Sequence, residues 1–199
     1  MVDTIHVLPQ GIKEAEYIYA SGNSYIDVGF TPNQDTTVEI QMNINSLSGN
    51  FVGVFGTETP RFSLYINNTT TSSPKARFDY GGSMITYQTA LSKNTDYTIK
   101  IDKNFFYING EKVGEATPST FTAARSLYLF TIHNSSGAYG TYGKNIKVKR
   151  FKVCDNGVLV RDMLSVRNTT SNRYGMYDFC RRIFKGSYTT TQFSGGSYS

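Results

Sequence analysis

Several residue types are scarce in this sequence, and each scarcity narrows what the protein can be. Tryptophan is absent, and there are two cysteines and two histidines. Cys154 and Cys180 lack the spacing of a zinc site or a CxxC redox motif, so we expect two free thiols, with a disulfide bond between them left open. His6 and His133 leave little material for a nucleophilic triad.

Long apolar runs and helical periodicity are also missing. No segment reaches the length of a transmembrane helix, so we expect no membrane insertion. Residues 1–10 have neither the basic nor the apolar region of a signal peptide. The net charge is +5, yet no zinc-finger spacing, ribonucleoprotein motif or basic helix accompanies it, so no nucleic-acid partner is expected.

What the sequence does contain is a two-residue alternation of apolar and polar side chains. Residues 38–44 alternate in this way, which is typical of a half-buried strand. The period returns at residues 62–66, 76–80, 97–101 and 127–132. Fifteen tyrosines and thirteen phenylalanines add residues that favour strands. About a dozen short strands predict an all-β sandwich or barrel, as a single domain over residues 1–199 with a leader at 1–7 and a frayed tail at 195–199.

The sequence also indicates the turns and loops between the predicted strands. Asn109-Gly110 and Asn156-Gly157 each separate two apolar runs, as expected for two-residue hairpins with positive φ at both turn positions. The apolar parity shifts within residues 146–153, which predicts a β-bulge near Lys149-Arg150. Residues 67–74 and 134–145 are predicted to be long loops without strands.

Basic residues concentrate in the last third of the chain. They are Lys144, Lys147, Lys149, Arg150, Lys152, Arg181, Arg182 and Lys185. Such a group can face an anionic partner, or it can be the solvated edge strand that protects a sheet from aggregation. We favour the edge strand.

A series of motifs along the chain is similar to one known family. The motifs are Leu8-Pro9, Tyr25-Ile26-Asp27-Val28-Gly29-Phe30, Arg77-Phe78-Asp79-Tyr80, Tyr107-Ile108-Asn109-Gly110, the run from Asp155 to Asp162, and Gly175-Met176-Tyr177-Asp178. From about Leu8 to Gly195 the chain resembles the laminin-G-like, concanavalin-A-like jelly-roll modules of bacteriophage tail and other virion proteins and of gut bacterial surface proteins. The resemblance implies a two-sheet antiparallel jelly-roll sandwich. We interpret the motifs themselves as framework, with Arg161-Asp162 as a paired charge.

The same resemblance implies a role in recognition. We expect a non-catalytic attachment module exposed on the tail or capsid of a phage virion, which binds bacterial surface polysaccharide or another glycan. One alternative is a structural virion protein that contacts other virion subunits without sugar. Another is a glycan-binding domain at the surface of a gut bacterium. Assembly into a homo-oligomer stays open.

Enzymatic chemistry has weak support in the sequence. Glycoside cleavage normally uses two carboxyl groups. In glucanases of this fold the carboxyl groups lie on a strand with the pattern E-x-D-x-x-E, and this pattern does not occur here. Glu14 and Glu16 are the only acidic residues two positions apart. Asp155-Asn156 and Asp102-Asn104 could contribute to a calcium site but are explained as turns. We therefore expect no enzyme, no cofactor and no metal.

The candidate ligand site rests on tyrosines among small polar residues. Because tryptophan is absent, tyrosine must supply the rings on which sugars stack. Residues 134–145 combine two tyrosines with serine, glycine and asparagine, a mixture typical of adaptable binding loops. The predicted site residues are His133, Asn134, Tyr139, Tyr142 and Lys144, with Tyr65 and Arg77 as outward-facing additions.

Overall fold

The structure, a computed structural model, describes residues 6–45, 51–67, 74–139 and 146–198. Within these ranges the chain forms strands joined by turns and contains no helix. No helix in this part of the chain is long and apolar enough to cross a membrane. The strands are β1 (Ile12–Glu14), β2 (Ile18–Tyr19), β3 (Ile26–Asp27), β4 (Thr36–Ile44), β5 (Phe51–Thr57), β6 (Phe62–Asn67), β7 (Lys75–Tyr80), β8 (Ser83–Thr86), β9 (Asp96–Asp102), β10 (Phe105–Ile108), β11 (Glu111–Glu115), β12 (Tyr128–Leu129), β13 (His133–Asn134), β14 (Gly137–Ala138), β15 (Ile146–Asp155), β16 (Val158–Asn168), β17 (Arg173–Asp178), β18 (Ile183–Lys185) and β19 (Ser194–Gly195).

Two sheets make up the fold. In the larger sheet the order is β11-β10-β9-β4-β15-β16-β17-β18, with β1 paired to β16 and β2 paired to both β15 and β19. The smaller sheet has the order β14-β13-β5-β6-β7-β8, with β12 between β5 and β3. Among the strands that the structure describes, neighbours are antiparallel except where β13 pairs with β5 in parallel. The fold is the predicted jelly-roll sandwich.

The core lies between the two sheets and follows from the alternation in the sequence. Val38, Ile40 and Ile44 of β4 are fully buried, and so are Phe62 and Phe78 of the smaller sheet. Two ring contacts cross from one sheet to the other, Phe55 to Phe151 at 5.3 Å and Phe78 to Phe106 at 5.8 Å between centroids. Such edge-on and tilted pairs add about 0.5–1.5 kcal/mol each to the burial of the rings.

The predicted turns and bulge are confirmed. Asn109 and Gly110 have φ of 52° and 83°, and Asn156 and Gly157 have 45° and 81°. Both dipeptides close two-residue hairpins, since Ile108 faces Glu111 and Asp155 faces Val158. The register of β15 against β4 shifts between Val148 and Arg150, where the bulge was predicted.

Three other predictions need correction. Residues 127–132 do not alternate, because all six side chains are buried and Phe130 has φ of 72°. Part of the predicted loop at 134–145 is the β13–β14 hairpin. Residues 195–198, predicted to be frayed, pair with the N-terminal segment through Gly195 and Ile18 and through Tyr198 and Ala15.

The basic run of β15 also differs from the prediction. This strand lies in the interior of the larger sheet, between β4 and β16, so it is not an edge strand. Two of its basic side chains meet acidic partners on the neighbouring strands. Lys152 lies 3.9 Å from Glu39, and Arg150 lies 2.7 Å from Asp162.

Candidate functional site

Tyr65 and Arg77 lie side by side on the outer face of the smaller sheet. They face each other across β6 and β7 in the antiparallel register. Their neighbours in sequence, Leu64 and Phe78, belong to the core, and alternation therefore directs Tyr65 and Arg77 away from it. The register thus places both residues on the outer face of the sheet, where Tyr65 is nevertheless only 6% exposed.

A buried carboxylate holds Arg77 in place. Nε of Arg77 donates to Oδ1 of Asp79 at 2.9 Å, and Nη2 donates to Oδ2 at 3.2 Å. Ser63 donates its hydroxyl to the same Oδ2 at 3.2 Å, and Asp79 is 2% exposed. The guanidinium also lies 5.7 Å from the Phe51 ring and 5.8 Å from the Tyr65 ring. A bidentate pair between two rings gives Arg77 one fixed orientation.

Tyr139 reaches this face from the β13–β14 hairpin. Its backbone N–H donates to the carbonyl of Ile132 at 2.8 Å, and its carbonyl accepts from the Thr131 hydroxyl at 2.5 Å. The side chain remains 45% exposed. A fixed backbone thus presents a ring that is half open to solvent.

These residues surround a cleft of about 170 Å³, which we call the Tyr139 cleft. Its lining consists of Phe51, Glu58, Arg61, Tyr65, Arg77 and Tyr139. Arg61 lies 3.5 Å from the carboxylate of Glu58 and 4.0 Å from that of Asp79. The cleft therefore combines rings that can stack on a sugar with charged groups that can hydrogen-bond its hydroxyls.

The phenol of Tyr65 is strongly perturbed. Burial raises its pKa to about 12, and the negative charges of Glu58 and Asp79 act in the same direction, against the opposing effects of Arg61 and Arg77. Tyr65 therefore stays a neutral hydroxyl at physiological pH. A neutral phenol can both donate and accept a hydrogen bond at the cleft floor.

His133 and Asn134 were predicted to belong to the site, but the structure gives them other contacts. The His133 ring stacks on Tyr128 at 3.8 Å, and its Nδ1 lies 3.0 Å from the Ser126 carbonyl. The side chain of Asn134 accepts from the N–H of Ser136 at 2.9 Å. Neither lines the Tyr139 cleft. Tyr142 and Lys144 lie outside the described residues, so their part in the site stays a prediction.

Sequence reasoning missed Phe51, Glu58 and Arg61. Glu58 and Arg61 flank the Thr59-Pro60 pair between β5 and β6. A turn signal between two apolar runs was therefore available, and it indicates that the two side chains meet at one end of a hairpin. Phe51 directly follows the undescribed residues 46–50, and nothing in the sequence distinguishes it from the core phenylalanines.

A second groove, of about 410 Å³, lies on the outer face of the larger sheet. Tyr17, Asn43, Asp96, Tyr97 and Lys147 are among its lining residues. Lys147 lies 4.2 Å from the centre of the Tyr17 ring, and Asn43 donates to Asp96 at 2.7 Å. The groove is roomier than the Tyr139 cleft, and any test of sugar binding must distinguish the two.

The pairing of Arg161 with Asp162 is wrong. Adjacent residues in a strand point to opposite faces, so the two side chains have different partners. Asp162 accepts both Nε and Nη2 of Arg150, at 2.8 and 2.7 Å. Arg161 instead donates to the Val28 carbonyl at 3.0 Å and lies 3.7 Å from Asp178.

Cys154 and Cys180 are free thiols, and burial raises the pKa of both. Among the residues that the structure describes, no group of three or more His, Cys, Asp or Glu side chains is placed to hold a metal ion.

Comparisons with known proteins identify the fold. No protein-family model and no curated protein sequence matches the chain. A solved protein of Bacteroides ovatus, provisionally described as carbohydrate-binding, shares 15% identity with a TM-score of 0.59 over 94% of this chain. The chain spans 61% of that protein's length. The similarity establishes a shared jelly-roll sandwich.

Two weaker similarities involve much larger proteins. A sialidase of Trypanosoma rangeli is 10% identical with a TM-score of 0.48, and the matched region covers 72% of this chain and 25% of the sialidase chain. Tailspike protein 2 of the Escherichia coli O157:H7 bacteriophage CAB120 is 11% identical with a TM-score of 0.44, and the matched region covers 77% of this chain and 27% of the tailspike chain.

Proposed function

We propose that this protein is a non-catalytic carbohydrate-recognition module that binds a glycan at the Tyr139 cleft. The observation that supports it best is the meeting of Tyr65, Arg77 and Tyr139 in one cleft. The sequence analysis predicted all three as residues of one sugar site, and Tyr139 is 62 positions from Arg77 in the chain. Aromatic rings around a few fixed polar groups are typical of small-molecule sites.

The rigidity of the cleft adds support. Arg77 is fixed by Asp79, and Tyr139 is fixed by two backbone hydrogen bonds. Binding to a preformed site loses less conformational entropy than binding to a flexible one. The jelly-roll sandwich is also shared with a protein described as carbohydrate-binding. We accordingly assign the chain to the laminin-G-like, concanavalin-A-like modules as part of this proposal.

A glycan array followed by titration calorimetry tests the binding. We expect the wild-type chain to bind at least one bacterial surface polysaccharide, and Tyr139→Ala to weaken that binding at least about tenfold, because a sugar loses its stacking partner. Tyr107→Ala, which removes a tyrosine on the larger sheet, is the matched control. Tyr17→Ala tests the larger-sheet groove: if it abolishes binding while Tyr139→Ala does not, the site is misplaced.

Two further measurements separate the alternatives. Release of new reducing ends from a bound polysaccharide would make the protein a glycosidase and contradict the non-catalytic part. We also propose that the module is exposed on the tail or capsid of a phage virion, as its sequence resemblance implies. Mass spectrometry and immunogold labelling of purified particles test that setting, and the bacterial cell surface is the alternative location.

The rival function is a structural virion subunit that binds no sugar. It predicts a silent glycan array and a symmetric oligomer in light scattering. A monomer that binds glycan would exclude it.

A further inference from the structure

Three basic side chains converge above Gly29. The terminal nitrogens of Arg181, Lys185 and Arg161 lie 3.5, 3.8 and 3.9 Å from the position that a Cβ on Gly29 would take. We call this arrangement the Gly29 pocket. Apart from Gly29 and its chain neighbours, these nitrogens are the three nearest atoms to that position. An oxyanion in van der Waals contact with the Cα of Gly29 would lie beyond this position, where it faces all three side-chain ends.

Backbone carbonyls hold two of the three cations. Arg161 is 6% exposed and donates to the carbonyls of Val28, Gly29 and Val160. Lys185 donates to the Asp27 carbonyl at 2.8 Å. A guanidinium has five N–H groups and an ammonium has three, so both side chains keep donors beyond these bonds. Arg181, on the exposed turn before β18, completes the group.

Nearby acidic groups only partly offset this charge. Asp27 uses Oδ1 to accept from the N–H of Gly29 at 2.8 Å. Asp178 accepts from the N–H of Cys180 at 3.0 Å and lies beneath Arg161 with no exposure of its own. Three positive groups therefore face two negative ones, and the positive side chains are the ones that surround the Gly29 position.

The cations also repel one another. Burial lowers the pKa of Lys185, and the charges of Arg161 and Arg181 lower it further against the opposing effects of Asp27 and Asp178. Burial and the charge of Arg181 likewise lower the pKa of Arg161. Like charges held together in this way are stabilised by an anion between them.

We propose that the Gly29 pocket binds an oxyanion, either the carboxylate of an acidic sugar or a phosphate group. Glycine suits this position for two reasons. Its φ is +66°, which side-chain-bearing residues rarely adopt, and a side chain here would occupy the space that faces the three cations. The site is separate from the Tyr139 cleft and shares no lining residue with it.

Titration calorimetry of the full chain at low ionic strength tests the proposal, with sodium phosphate and sodium glucuronate as probes and sodium chloride as the reference. We expect at least one probe to bind. Arg181→Ala should weaken that binding at least about tenfold, since a charge-assisted hydrogen bond is lost. Arg182→Ala removes the same charge one residue away, from a side chain that lines a different cavity, and should leave the affinity within about twofold.

The two probes identify the source of the oxyanion. Binding of glucuronate alone supports an acidic sugar, binding of phosphate alone supports a phosphorylated polymer, and binding of both supports an oxyanion site without discrimination. Gly29→Ala should weaken binding, because its methyl group would lie between the Cα of residue 29 and the bound anion. Because that variant can also strain the backbone, the Arg181→Ala result decides the matter.

The proposal is overturned if neither probe binds, or if Arg181→Ala and Arg182→Ala weaken binding equally, since net charge alone would then explain the effect. Tyr139→Ala should leave the oxyanion affinity unchanged. The Gly29 pocket and the Tyr139 cleft can therefore fail independently.

Discussion

Two groups of basic side chains in the molecule handle charge in different ways. Along β15, basic side chains on the outer face of the larger sheet meet carboxylates of the neighbouring strands, as Lys152 does with Glu39 at 3.9 Å and Arg150 with Asp162 at 2.7 Å. In the Gly29 pocket, three cations lie close to one another around a single glycine. Arg161 and Lys185 of this pocket also belong to the larger sheet, on β16 and β18.

This difference teaches that a cluster of basic residues in sequence is a poor guide to positive potential. In β15, Arg150 and Lys152 meet acidic neighbours on β16 and β4, which offset part of the charge of this basic run. Arg161, Arg181 and Lys185 are up to 24 positions apart in the chain, yet they converge with only partial compensation. A site for an anion is therefore indicated by cations that converge in three dimensions, and not by a run of basic residues along one strand.

The largest effect should come from breaking the buried pair of the larger sheet. Asp162→Ala leaves Arg150 without its bidentate partner and removes the carboxylate that lies 3.1 Å from His6. We expect the free energy of unfolding to fall by about 3–5 kcal/mol, as when one member of a buried ion pair is removed. Urea unfolding measures it. Asp155→Ala, on the same sheet but less buried, is the control, and a loss for Asp162→Ala below about 1 kcal/mol would contradict the pairing.

Alkaline titration tests the smaller sheet at an intermediate magnitude. The pKa of Tyr65 rises from 10.0 to about 12 in the folded protein, so the folded state keeps this phenol neutral while the unfolded chain ionises it. Stability from Tyr65 is complete below pH 10 and is lost as the pH rises to 12. Two pKa units correspond to about 3 kcal/mol.

The measurement compares wild type with Tyr65→Phe across this pH window, because burial also raises the pKa of Tyr80 and of Tyr128. We expect the wild-type stability to fall more steeply than that of the variant. Tyrosinate absorbance should show one late-ionising phenol fewer in the variant. Parallel stability curves would show that Tyr65 is not shielded.

The sequence predicts those structural features that are determined by residues close together in the chain. The strands and hairpins are encoded by neighbouring residues, so period-two alternation and the Asn-Gly turns predict them correctly. Residues 127–132 escape the rule, because the positive φ of Phe130 interrupts the strand and both of its faces are covered. Alternation likewise directs Tyr65 and Arg77 outward, and that part of the site is predictable.

Long-range pairing is what the sequence does not reveal. His133 and Asn134 belong to the tyrosine-rich region by position, but the β13–β14 hairpin turns them toward Tyr128 and Ser136. The Gly29 pocket forms where residues of β16 and β18 lie beside the end of β3. No local sequence motif predicts that these segments are close in space. Only the strand order brings these segments together.

The smallest effect is also the sharpest test of the contrast, because its sign differs between β15 and the Gly29 pocket. Lys152→Ala breaks a partly exposed pair and should lower the free energy of unfolding by about 0.5 kcal/mol or less. Without bound anion, Arg181→Ala relieves repulsion on Lys185 and Arg161 and should raise it by a similar amount. Both differences should shrink toward zero in high salt, because screening acts on exposed charges of either sign. If both variants lose stability to the same extent, the cations of the Gly29 pocket are as well compensated as those of β15, and the contrast between the two groups disappears.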